Sequence, residues 1–500
     1  MEILEEVSKE ELRKHLTNIN LEDQNLYNEV QKNQFGVFQF SGGTASGMIQ
    51  KANVDNFNDL VSINALSRPG SSFSFPDFCR NGNSGESKYP EFISKFLNDS
   101  RGCILFQEQI MHISSECGLD SNYVRGLLKK LGKANKKKED IEAWDKVVKQ
   151  FEKSFAEKGM SDSEIRMVID DFVTLSAYSF NKSHASAYSY LAAETIYLSK
   201  YFKSAFYAAN LTYEAGKQDK LKDAMKIVKK TGYKILPPSI NNSSGHFAPV
   251  GDNLAFGLGE IKGIGEKPME SIVKNRPYES IIDFVIKNLG EKPINKRVTT
   301  ALVAGGAFDD LIEKDSRKKY LNIVTDFYEK KKTKKNPELL KQLWDDIVED
   351  HQLDIATGVD DYMKLENDYL GGNFFHGMFS DAMVEKIDKL YSLGKCLRNF
   401  EEVREQNRPS AYVPLQVKSY RYHTQKNGQE MCFLNCEDMN GEEVSIPVFA
   451  SYWEHCKIKF FGEAFYLLSV FDKEGQIMFG SRNWVTSPDT KRSFMIRWKI

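Results

Sequence analysis

The sequence has no uninterrupted run of about 18 apolar residues, the length that a membrane-spanning helix needs. Its first residues, Met1-Glu2-Ile3-Leu4-Glu5-Glu6, lack the basic and apolar segments of a secretory signal peptide. The seven cysteines are an odd number without a repeated close spacing, which is typical of reduced thiols. We therefore expect a cytoplasmic protein without a membrane partner.

Sequence signatures of several enzyme classes are also missing. Asp-x-Asp, a common arrangement for holding two divalent ions, occurs nowhere in the chain. Asp140/Glu142 and Asp162/Glu164 lie in polar segments that we interpret as helix starts, where the helix dipole favours carboxylates. Gly-x-Ser-x-Gly, the Walker loop and the dinucleotide fingerprint are absent as well. From the residues, we predict no catalytic group in this chain.

One group of cysteines and a histidine has a spacing that could serve zinc. Cys432, Cys436, His455 and Cys456 lie close together in the sequence. Positions 432 and 436 share one face of a predicted strand, and free cysteine is a good core residue. We interpret the cysteines as core residues and predict no metal site in the chain.

The formal net charge is only −2, so the chain as a whole is not basic. Its lysines and arginines are nevertheless clustered, in runs at 129–138, 317–319 and 330–335. Such runs are usually solvated helix faces, and contacts with nucleic-acid phosphates are the alternative. The sequence leaves both interpretations open.

The hydrophobic pattern changes along the chain. Residues 91–232 show one helical pattern after another, whereas the pattern alternates from Tyr412 onward, with hairpin turns at Asn427-Gly428 and Asn440-Gly441. We therefore predict an α+β multidomain fold that ends in a small β-barrel of about five strands. The predicted domains are residues 1–232, 233–335, a partly helical connector at 336–410, and 411–500.

A polar cluster at Ser179–Tyr188 precedes a long apolar segment, Leu191 to Asn210. Backbone N–H groups and the helix dipole favour an anion such as phosphate at a helix N-terminus. The simpler alternative is a helix cap with solvated polar residues. We expect the segment 185–211, apolar nearly all round, to lie in the core, and we predict a short strand at Gly36–Phe40.

A glycine-bounded turn, Ile261-Lys262-Gly263-Ile264-Gly265, has the pattern of a helix-hairpin-helix motif. Its glycines allow a close approach to a DNA phosphate, and Lys262 and Lys267 add positive charge. An ordinary corner between two helices would look the same. Asn295-Lys296-Arg297 and residues 304–309 lie where a second, degenerate hairpin would follow.

In order along the chain, these segments resemble the C-terminal portion of bacterial family C replicative DNA polymerases, the DNA polymerase III α subunits. The matching motifs are Gly36-Val37-Phe38-Gln39-Phe40, Gly47-Met48, Leu66-Ser67-Arg68-Pro69-Gly70, Phe106-Gln107-Glu108-Gln109-Ile110-Met111, Leu131-Gly132-Lys133, Phe180 to Tyr188, Ile235-Leu236-Pro237-Pro238, Phe256-Gly257-Leu258-Gly259, Ile261 to Gly265, and Gly306-Ala307-Phe308-Asp309. The resemblance implies a mostly helical fingers domain, a tandem helix-hairpin-helix domain and a C-terminal OB-type barrel, which together make up nearly the whole chain.

By that resemblance, the fingers lie over the incoming nucleotide and the templating base. The implied nucleotide-binding residues are Asn181, Lys182, His184, Lys129 and Lys133, and the implied DNA-binding residues are Arg68, Lys262, Gly263, Gly265 and Lys267. The chain departs from the family at Leu128-Lys129, where two arginines are usual. Lysine is a point charge and cannot form the bidentate fork that arginine forms with phosphate.

Family members also carry PHP, thumb and palm domains, and their palm holds the catalytic aspartates. The motifs of this chain begin downstream of those aspartates, in agreement with the missing Asp-x-Asp. We therefore expect a split replicative polymerase of a phage or plasmid-like replicon, working in a bacterial cytoplasm or a phage-infected host. This chain, inactive alone, would bind dNTP and primer–template DNA, while a separate palm-containing chain holds Mg2+. The competing hypothesis is a non-enzymatic DNA-binding or regulatory protein derived from a polymerase.

Two further partners are considered on the same resemblance. An OB-type barrel with exposed aromatic side chains is suited to single-stranded DNA, and the candidates are Phe433, Phe449, Tyr452, Trp453, Phe460 and Phe461. A sliding-clamp peptide would lie between the hairpin domain and the barrel. Gln342-Leu343-Trp344 lies there without the usual aromatic-hydrophobic ending, and we interpret it as part of an ordinary helix.

Overall fold

The protein is represented by a computed structural model that forms two compact units. It describes residues 9–68, 71–82, 87–132, 137–176, 180–290, 294–313, 316–332, 335–352, 359–375, 381–406, 408–456, 464–480 and 495–497. The first unit comprises Met1–Tyr213 with Ala248–Asp252, and the second comprises Glu214–Phe247 with Asn253–Ile500. Within the described ranges, no helix combines the length and the apolar character needed to cross a membrane.

The first unit is helical. Its helices are α1 (Lys9–Thr17), α2 (Gln24–Lys32), α3 (Gly43–Ala52), α4 (Phe57–Leu66), α5 (Phe75–Asn81), α6 (Glu91–Ser94), α7 (Gln107–Glu116), α8 (Ser121–Leu131), α9 (Lys138–Glu157), α10 (Asp162–Ser176), α11 (Lys182–Tyr201) and α12 (Lys203–Glu214), with 3-10 turns at Ser72–Ser74 and Asn98–Ser100. Strand β1 (Ile235–Leu236) belongs to the second unit, and the short strand β2 (Ala248–Val250) lies in the segment assigned to the first unit.

Side-chain caps fix several of these helix starts. The carboxylate of Asp23 accepts from Asn25 N, and the amide oxygen of Asn56 accepts from Asp59 N at 3.0 Å. Each cap satisfies an N–H group that has no partner within its own helix. A capping box precedes α10, because Ser161 N donates to the side chain of Glu164 at 2.8 Å and Glu164 N donates to Ser161 Oγ at 3.4 Å.

The first unit has two apolar cores. One joins α2, α3 and α4 with α11 and includes Leu26, Ile49, Leu60, Ala192 and Ile196. The other gathers the helices between them, α7 to α10, around residues that include Ile113, Leu127, Phe151 and Phe172. Burial of such side chains is the main favourable term in folding.

Two sequence predictions for this unit are wrong. Gly36–Phe40 forms turns rather than a strand, because Gly36 and Gln39 have φ of 71° and 63° and interrupt the extended backbone. The segment 185–211 is not buried all round. It divides into α11 and α12, and Leu191 and Tyr201 are 45% and 46% exposed.

The second unit contains the remaining helices and two sheets. Its helices are α13 (Gln218–Lys230), α14 (Glu266–Lys274), α15 (Ile281–Lys287), α16 (Lys296–Ala304), α17 (Arg317–Lys331), α18 (Pro337–Asp350), α19 (Val359–Leu370), α20 (Asp381–Ser392), α21 (Phe400–Gln406) and α22 (Ala450–Cys456), with a 3-10 turn at Leu258–Glu260. Strands β1 (Ile235–Leu236) and β3 (Asn253–Ala255) pair in parallel, with Ile235 opposite Leu254.

The C-terminal sheet is antiparallel and curls into a nearly closed barrel. Its strands are β4 (Ala411–Thr424), β5 (Glu430–Glu437), β6 (Glu443–Val448), β7 (Ala464–Lys473), β8 (Gln476–Phe479) and β9 (Met495–Arg497). They follow the order β6-β5-β4-β7-β8, and β9 also pairs with β7. Both predicted hairpin turns are confirmed, with Gly428 and Gly441 at φ of 80° and 77°.

The barrel encloses a core that includes Val413, Leu434, Ile446, Leu468 and Ile477. The predicted α+β multidomain fold class is therefore confirmed. The OB-type topology of the barrel and the division into four domains stay predictions.

Candidate nucleotide and DNA interface

The predicted polar cluster lies at the start of α11. Asn181 is the N-cap residue, and its amide oxygen accepts from His184 N at 2.8 Å. Lys182 and His184 are therefore placed in the first turn of the helix. Ser179, the first residue of the cluster, lies outside the described residues.

A short backbone pairing brings this helix start next to a second sequence motif. Phe180 N donates to Leu105 O at 3.2 Å, and Gln107 N donates to Phe180 O at 3.1 Å. Phe106 and Phe180 thus form a parallel bridge. The motifs at 106–111 and 180–188, which are separated by a whole helical segment in the sequence, meet at the start of α11.

The anion position at the start of α11 is filled by a carboxylate of the protein itself. Glu108 accepts from Lys182 N at 2.9 Å and from the Asn181 amide nitrogen at 2.7 Å. A carboxylate is stabilised there by the helix dipole and by charge-assisted hydrogen bonds. The backbone N–H of Lys182 is consequently not open to a phosphate in this arrangement.

The ammonium group of Lys182 is also paired within the protein. Its Nζ lies 2.6 Å from Asp99 Oδ2, and both side chains are partly exposed. Asp99 belongs to the 3-10 turn Asn98–Ser100, next to Arg101. Arg101 forms a buried pair with Asp59, with Nε donating to Oδ1 at 2.7 Å, so the turn that carries Asp99 is firmly held.

His184 lies in a row of rings on one side of α11. Its ring centroid is 5.3 Å from that of Phe180 and 4.3 Å from that of Tyr188. Tyr188 lies 5.6 Å from Phe38, and the Arg68 guanidinium lies over Phe180 at 5.2 Å. The exposed Arg68 therefore lies near His184, a predicted nucleotide-binding residue. The three sequence motifs that contain Phe38, Arg68 and Phe180 meet on this side of α11.

Of the two lysines predicted to lie near the triphosphate, Lys129 and Lys133, the structure describes only Lys129. Lys129 is exposed in the last turn of α8. Within the described ranges, no hydrogen bond or ion pair links it to Asn181, Lys182 or His184. Lys133 lies outside the described residues. The neighbouring Lys130 pairs with Asp140 at 3.1 Å. Where it is described, this run of lysines is exposed.

The predicted hairpin is a glycine turn that leads into α14. Gly263 has φ of 105°, a left-handed conformation that favours glycine, and Gly265 is the N-cap residue of α14. Lys262 and Lys267 are exposed, and neither forms an ion pair with another described residue. A Cβ on Gly263 would lie 3.7 Å from Arg297 Nε, so the exposed Arg297 adjoins the same turn.

Some hairpin N–H groups are already used. Lys262 N donates to Tyr369 O at 2.8 Å, and Ile264 N donates to Ile261 O at 3.0 Å. Among the described residues, no backbone oxygen accepts from Gly263 N or Gly265 N. The hairpin therefore presents two N–H groups and three cationic side chains to an anion.

The basic run at 317–319 is not uniformly solvated, because Arg317 is buried. Its Nε donates to Asp309 Oδ1 at 2.8 Å, and its Nη2 also pairs with Asp309. Gly306 has φ of 81°, and a Cβ there would lie 2.1 Å from Arg317 Nη2. Phe308 packs edge-on against Phe284 in the core at 5.4 Å. The motif at 306–309 is thus a structural element.

The barrel presents a different set of aromatic residues from the predicted one. Phe449 is exposed, whereas Tyr452 and Trp453 are buried. Phe460 and Phe461 lie outside the described residues. Tyr420 and Tyr422, which sequence reasoning missed, are exposed on β4, and alternation along that strand is the signal that could have found them.

Cys432 and Cys436 are core residues, as predicted, and the side chains of His455 and Cys456 lie outside the described residues. Cys432 and Cys436 are buried in the apolar core of the barrel. Burial raises the pKa of the Cys432 thiol to about 11. Within the described residues, no group of three or more His, Cys, Asp or Glu side chains could hold a metal ion.

Gln342-Leu343-Trp344 is part of a helix, as predicted. These residues lie in α18, and Trp344 is only 5% exposed. The Trp344 ring packs against that of Phe327 at 5.2 Å. The indole thus stabilises the contact between α17 and α18.

Comparison with known proteins agrees with this layout. The family model described as the bacterial DNA polymerase III α subunit finger domain matches residues 1–159, and a helix-hairpin-helix model matches residues 232–320. The hairpin and α14 to α16 all fall within the second match. Residues 180–188 lie beyond the first match.

The chain is also similar to curated DNA polymerase III α subunits. It is 30% identical over 474 residues to the one from Aquifex aeolicus, covering 91% of this chain and 38% of that protein. The subunit from Treponema pallidum is 26% identical over 443 residues, 85% of this chain and 37% of the relative. That from Thermus aquaticus is 32% identical over 285 residues, 55% of this chain and 23% of the relative.

The chain therefore spans less than two fifths of the length of each of these relatives. The finger and hairpin matches occur in the order in which the sequence resemblance placed them. Together, these similarities show that the chain belongs to the family of bacterial DNA polymerase III α subunits and corresponds to a C-terminal portion of such a subunit.

Proposed function

We propose that this chain is the fingers and DNA-binding part of a split DNA polymerase, and that a separate chain supplies the palm. The observation that carries the proposal is the hairpin turn at Gly263, with its open N–H groups and exposed cations, in a chain that also matches the polymerase fingers. The missing Asp-x-Asp supports an outside source for the catalytic carboxylates. The setting would be DNA replication in a bacterial cytoplasm or a phage-infected host.

In this proposal, the start of α11 faces the incoming dNTP. Asn181 fixes the helix start, and Lys182 and His184 present a cation and an imidazole at its first turn. Lys129 and Lys133 would lie near the triphosphate. Because Asp99 holds the Lys182 ammonium, a phosphate must displace that carboxylate before it can pair with the lysine.

Primer–template DNA would lie against the hairpin. Lys262, Lys267 and Arg297 supply positive charge there, and Gly263 and Gly265 supply backbone N–H groups. Such contacts position the duplex without reading its sequence. Arg68 would contact DNA from the side of the fingers.

Mg2+ would be held by the palm carboxylates of the partner chain. The described residues of this chain do not fit such an ion, since they form no suitable group of ligands. When bound in the palm, two such ions would support in-line nucleotidyl transfer. This chain would orient the nucleotide and the DNA.

Single-stranded DNA is a further proposed partner of the barrel. Tyr420, Tyr422 and Phe449 are exposed there, and Arg421 lies over the Phe433 ring at 4.7 Å. Stacking of bases on such side chains tolerates any sequence. A sliding clamp is not assigned a site, because Trp344 is buried in α18.

The test is reconstitution of primer extension. The palm-containing chain is assayed alone, with this chain, and with its Lys182→Ala variant. We expect extension only with both chains, and a raised dNTP requirement with the variant. The split-polymerase assignment fails if the partner plus this chain extends no more than the partner alone. Unchanged nucleotide dependence in Lys182→Ala would remove the α11 assignment only.

A non-enzymatic DNA-binding or regulatory role is the second candidate. The favouring observation is that Glu108 and Asp99 already neutralise the start of α11, so the described nucleotide site is satisfied without a ligand. This role predicts binding of primer–template DNA together with no stimulation of any palm-containing chain.

A further inference from the structure

A continuous row of rings follows one face of α11. We define the ring row as Phe38, Tyr188, His184 and Phe180, with the Arg68 guanidinium at the Phe180 end. His184 and Tyr188 are spaced by four on α11, so their side chains lie on successive turns of one face. Phe180 precedes the N-cap residue and continues the row through its ring contact with His184. Adjacent ring centroids are 4.3 to 5.6 Å apart.

The row is open to solvent at Phe38 and His184, whereas Phe180 and Tyr188 are half-buried. Phe38 is 38% exposed although its neighbours Val37 and Phe40 are fully buried. His184 is exposed, and Leu191, one further turn along the same helix face, is 45% exposed. Exposed apolar groups that adjoin one another mark a binding surface more often than a core.

Phe38 is held in place rather than free to move. Its N–H donates to Thr195 Oγ1 at 3.0 Å, which ties the turn to α11. A Cβ on the preceding Gly36 would lie 2.4 Å from Asn210 Oδ1, so the turn also packs closely against α12. With its backbone anchored and its ring packed beside that of Tyr188, Phe38 loses little conformational entropy when a ligand stacks on it.

We propose that the ring row is a stacking platform for consecutive bases of single-stranded DNA, as on the template strand ahead of the primer end. The proposal rests on the proposed function and deepens it. Successive ring centroids from Phe180 to Phe38 are 5.3, 4.3 and 5.6 Å apart, whereas stacked bases of a strand recur about every 3.4 Å. The row is thus long enough for about three bases, and a single nucleotide would cover only part of it.

Charge supports the same occupant. Arg68 is exposed at one end of the row and forms no ion pair with another described residue. Its guanidinium can pair with a strand phosphate while its plane stays over Phe180. Aromatic platforms flanked by cations are the usual means of binding single strands without reading their sequence.

The test uses the intact chain and a primer–template whose single-stranded overhang carries 2-aminopurine. Stacking changes the fluorescence of this base. Phe38→Leu and Tyr188→Leu should each lower the affinity for the overhang about tenfold and restore the fluorescence of the free base. Phe38→Tyr should retain both, because it keeps the ring. Tyr123→Leu, an exposed ring of α8 outside the row, should match the wild type.

Each outcome decides the proposal. If Phe38→Leu and Tyr188→Leu melt like the wild type and quench 2-aminopurine as well as it does, the platform is refuted while DNA binding by the hairpin stands. Equal losses for free dATP and for the overhang would reassign the row to the nucleotide, against the proposal. If the wild-type chain binds no primer–template at all, the proposed function and the platform fail together.

Discussion

The Lys182 ammonium nitrogen lies 2.6 Å from Asp99 Oδ2, although the two residues are 83 positions apart in the sequence. The ammonium group that is predicted to bind a phosphate is therefore already paired with a carboxylate of the 3-10 turn Asn98–Ser100. An exposed pair of this kind contributes little to stability. A ligand phosphate can therefore replace the Asp99 carboxylate at Lys182 with little loss of folding stability.

Asp99→Asn should strengthen binding of a nucleoside triphosphate or of inorganic triphosphate to the chain by about twofold to fivefold. The substitution removes the carboxylate that competes for Lys182 and leaves the lysine in place. Titration calorimetry at constant ionic strength measures the effect. Asp145→Asn, an exposed carboxylate of α9, is the control and should leave the affinity unchanged. Weaker binding by Asp99→Asn would show that the pair orients Lys182 for its ligand.

Lys262→Ala should weaken binding of primer–template DNA similarly for all sequences. If Lys262 neutralises one phosphate, the slope of log K against log salt should fall by about 0.9. Fluorescence anisotropy over a range of salt concentrations gives that slope. Lys274, which is exposed at the far end of α14, provides the matched Lys274→Ala control. An equal slope for Lys262→Ala and the wild type would exclude the hairpin from the interface.

Gly306→Ala should destabilise the second unit by about 3 kcal/mol or more, because it forces the Arg317 guanidinium away from Asp309 and leaves a buried charge poorly paired. Gly290→Ala is the matched control. Gly290 also has positive φ, but its Cβ would meet no atom within 4 Å, so about 1 kcal/mol of backbone strain is expected. Urea unfolding compares the two variants, and similar losses would show that Arg317 relaxes freely.

Glu443→Gln tests the pH dependence of stability. The hydrogen bond with Lys222, at 2.6 Å, lowers the pKa of the Glu443 carboxyl below 4.5. A carboxyl with a lowered pKa stabilises the fold above its unfolded value, and this contribution is lost as the pH falls through the folded value.

The variant should therefore be less stable than the wild type by roughly 0.2–1 kcal/mol at pH 7. The difference should shrink as the pH falls below 4.5 and vanish in stronger acid, below the lowered pKa of Glu443. Denaturant unfolding at both pH values measures it. Glu405→Gln, an exposed residue of α21, serves as the control and should behave alike at both. A difference that persists in strong acid would mean that the glutamine disturbs packing instead.

Local chemistry in the sequence was enough to predict the start of α11 and the barrel hairpins. The Asn181 cap and the turns at Gly428 and Gly441 depend on residues a few positions apart. Glu108 and Asp99 could not be predicted in the same way, because they reach α11 only through the tertiary fold.

Sequence composition gave wrong predictions where it did not specify which side of a segment is buried. The apolar residues at 185–211 indicated a buried helix, but tertiary packing covers only one side and leaves Leu191 exposed. The segment Gly36–Phe40 resembles a short strand in its sequence, but two residues with positive φ make it a turn. Arg317 belongs to a basic run yet is buried, because Asp309 lies within reach.

The bridge between Phe106 and Phe180 brings together the two ends of the segment that contains α7 to α10. The backbone leaves for α7 and returns from α10 through neighbouring positions, and the helices in between share their core with Ile93 of α6 and with Ile104. Residues 107–176 are thus an excursion with adjoining ends, the topology in which whole segments can be gained or exchanged with little effect on the parent fold. On a ribosome, this excursion can assemble its interior before α11 emerges to complete the core around Leu60.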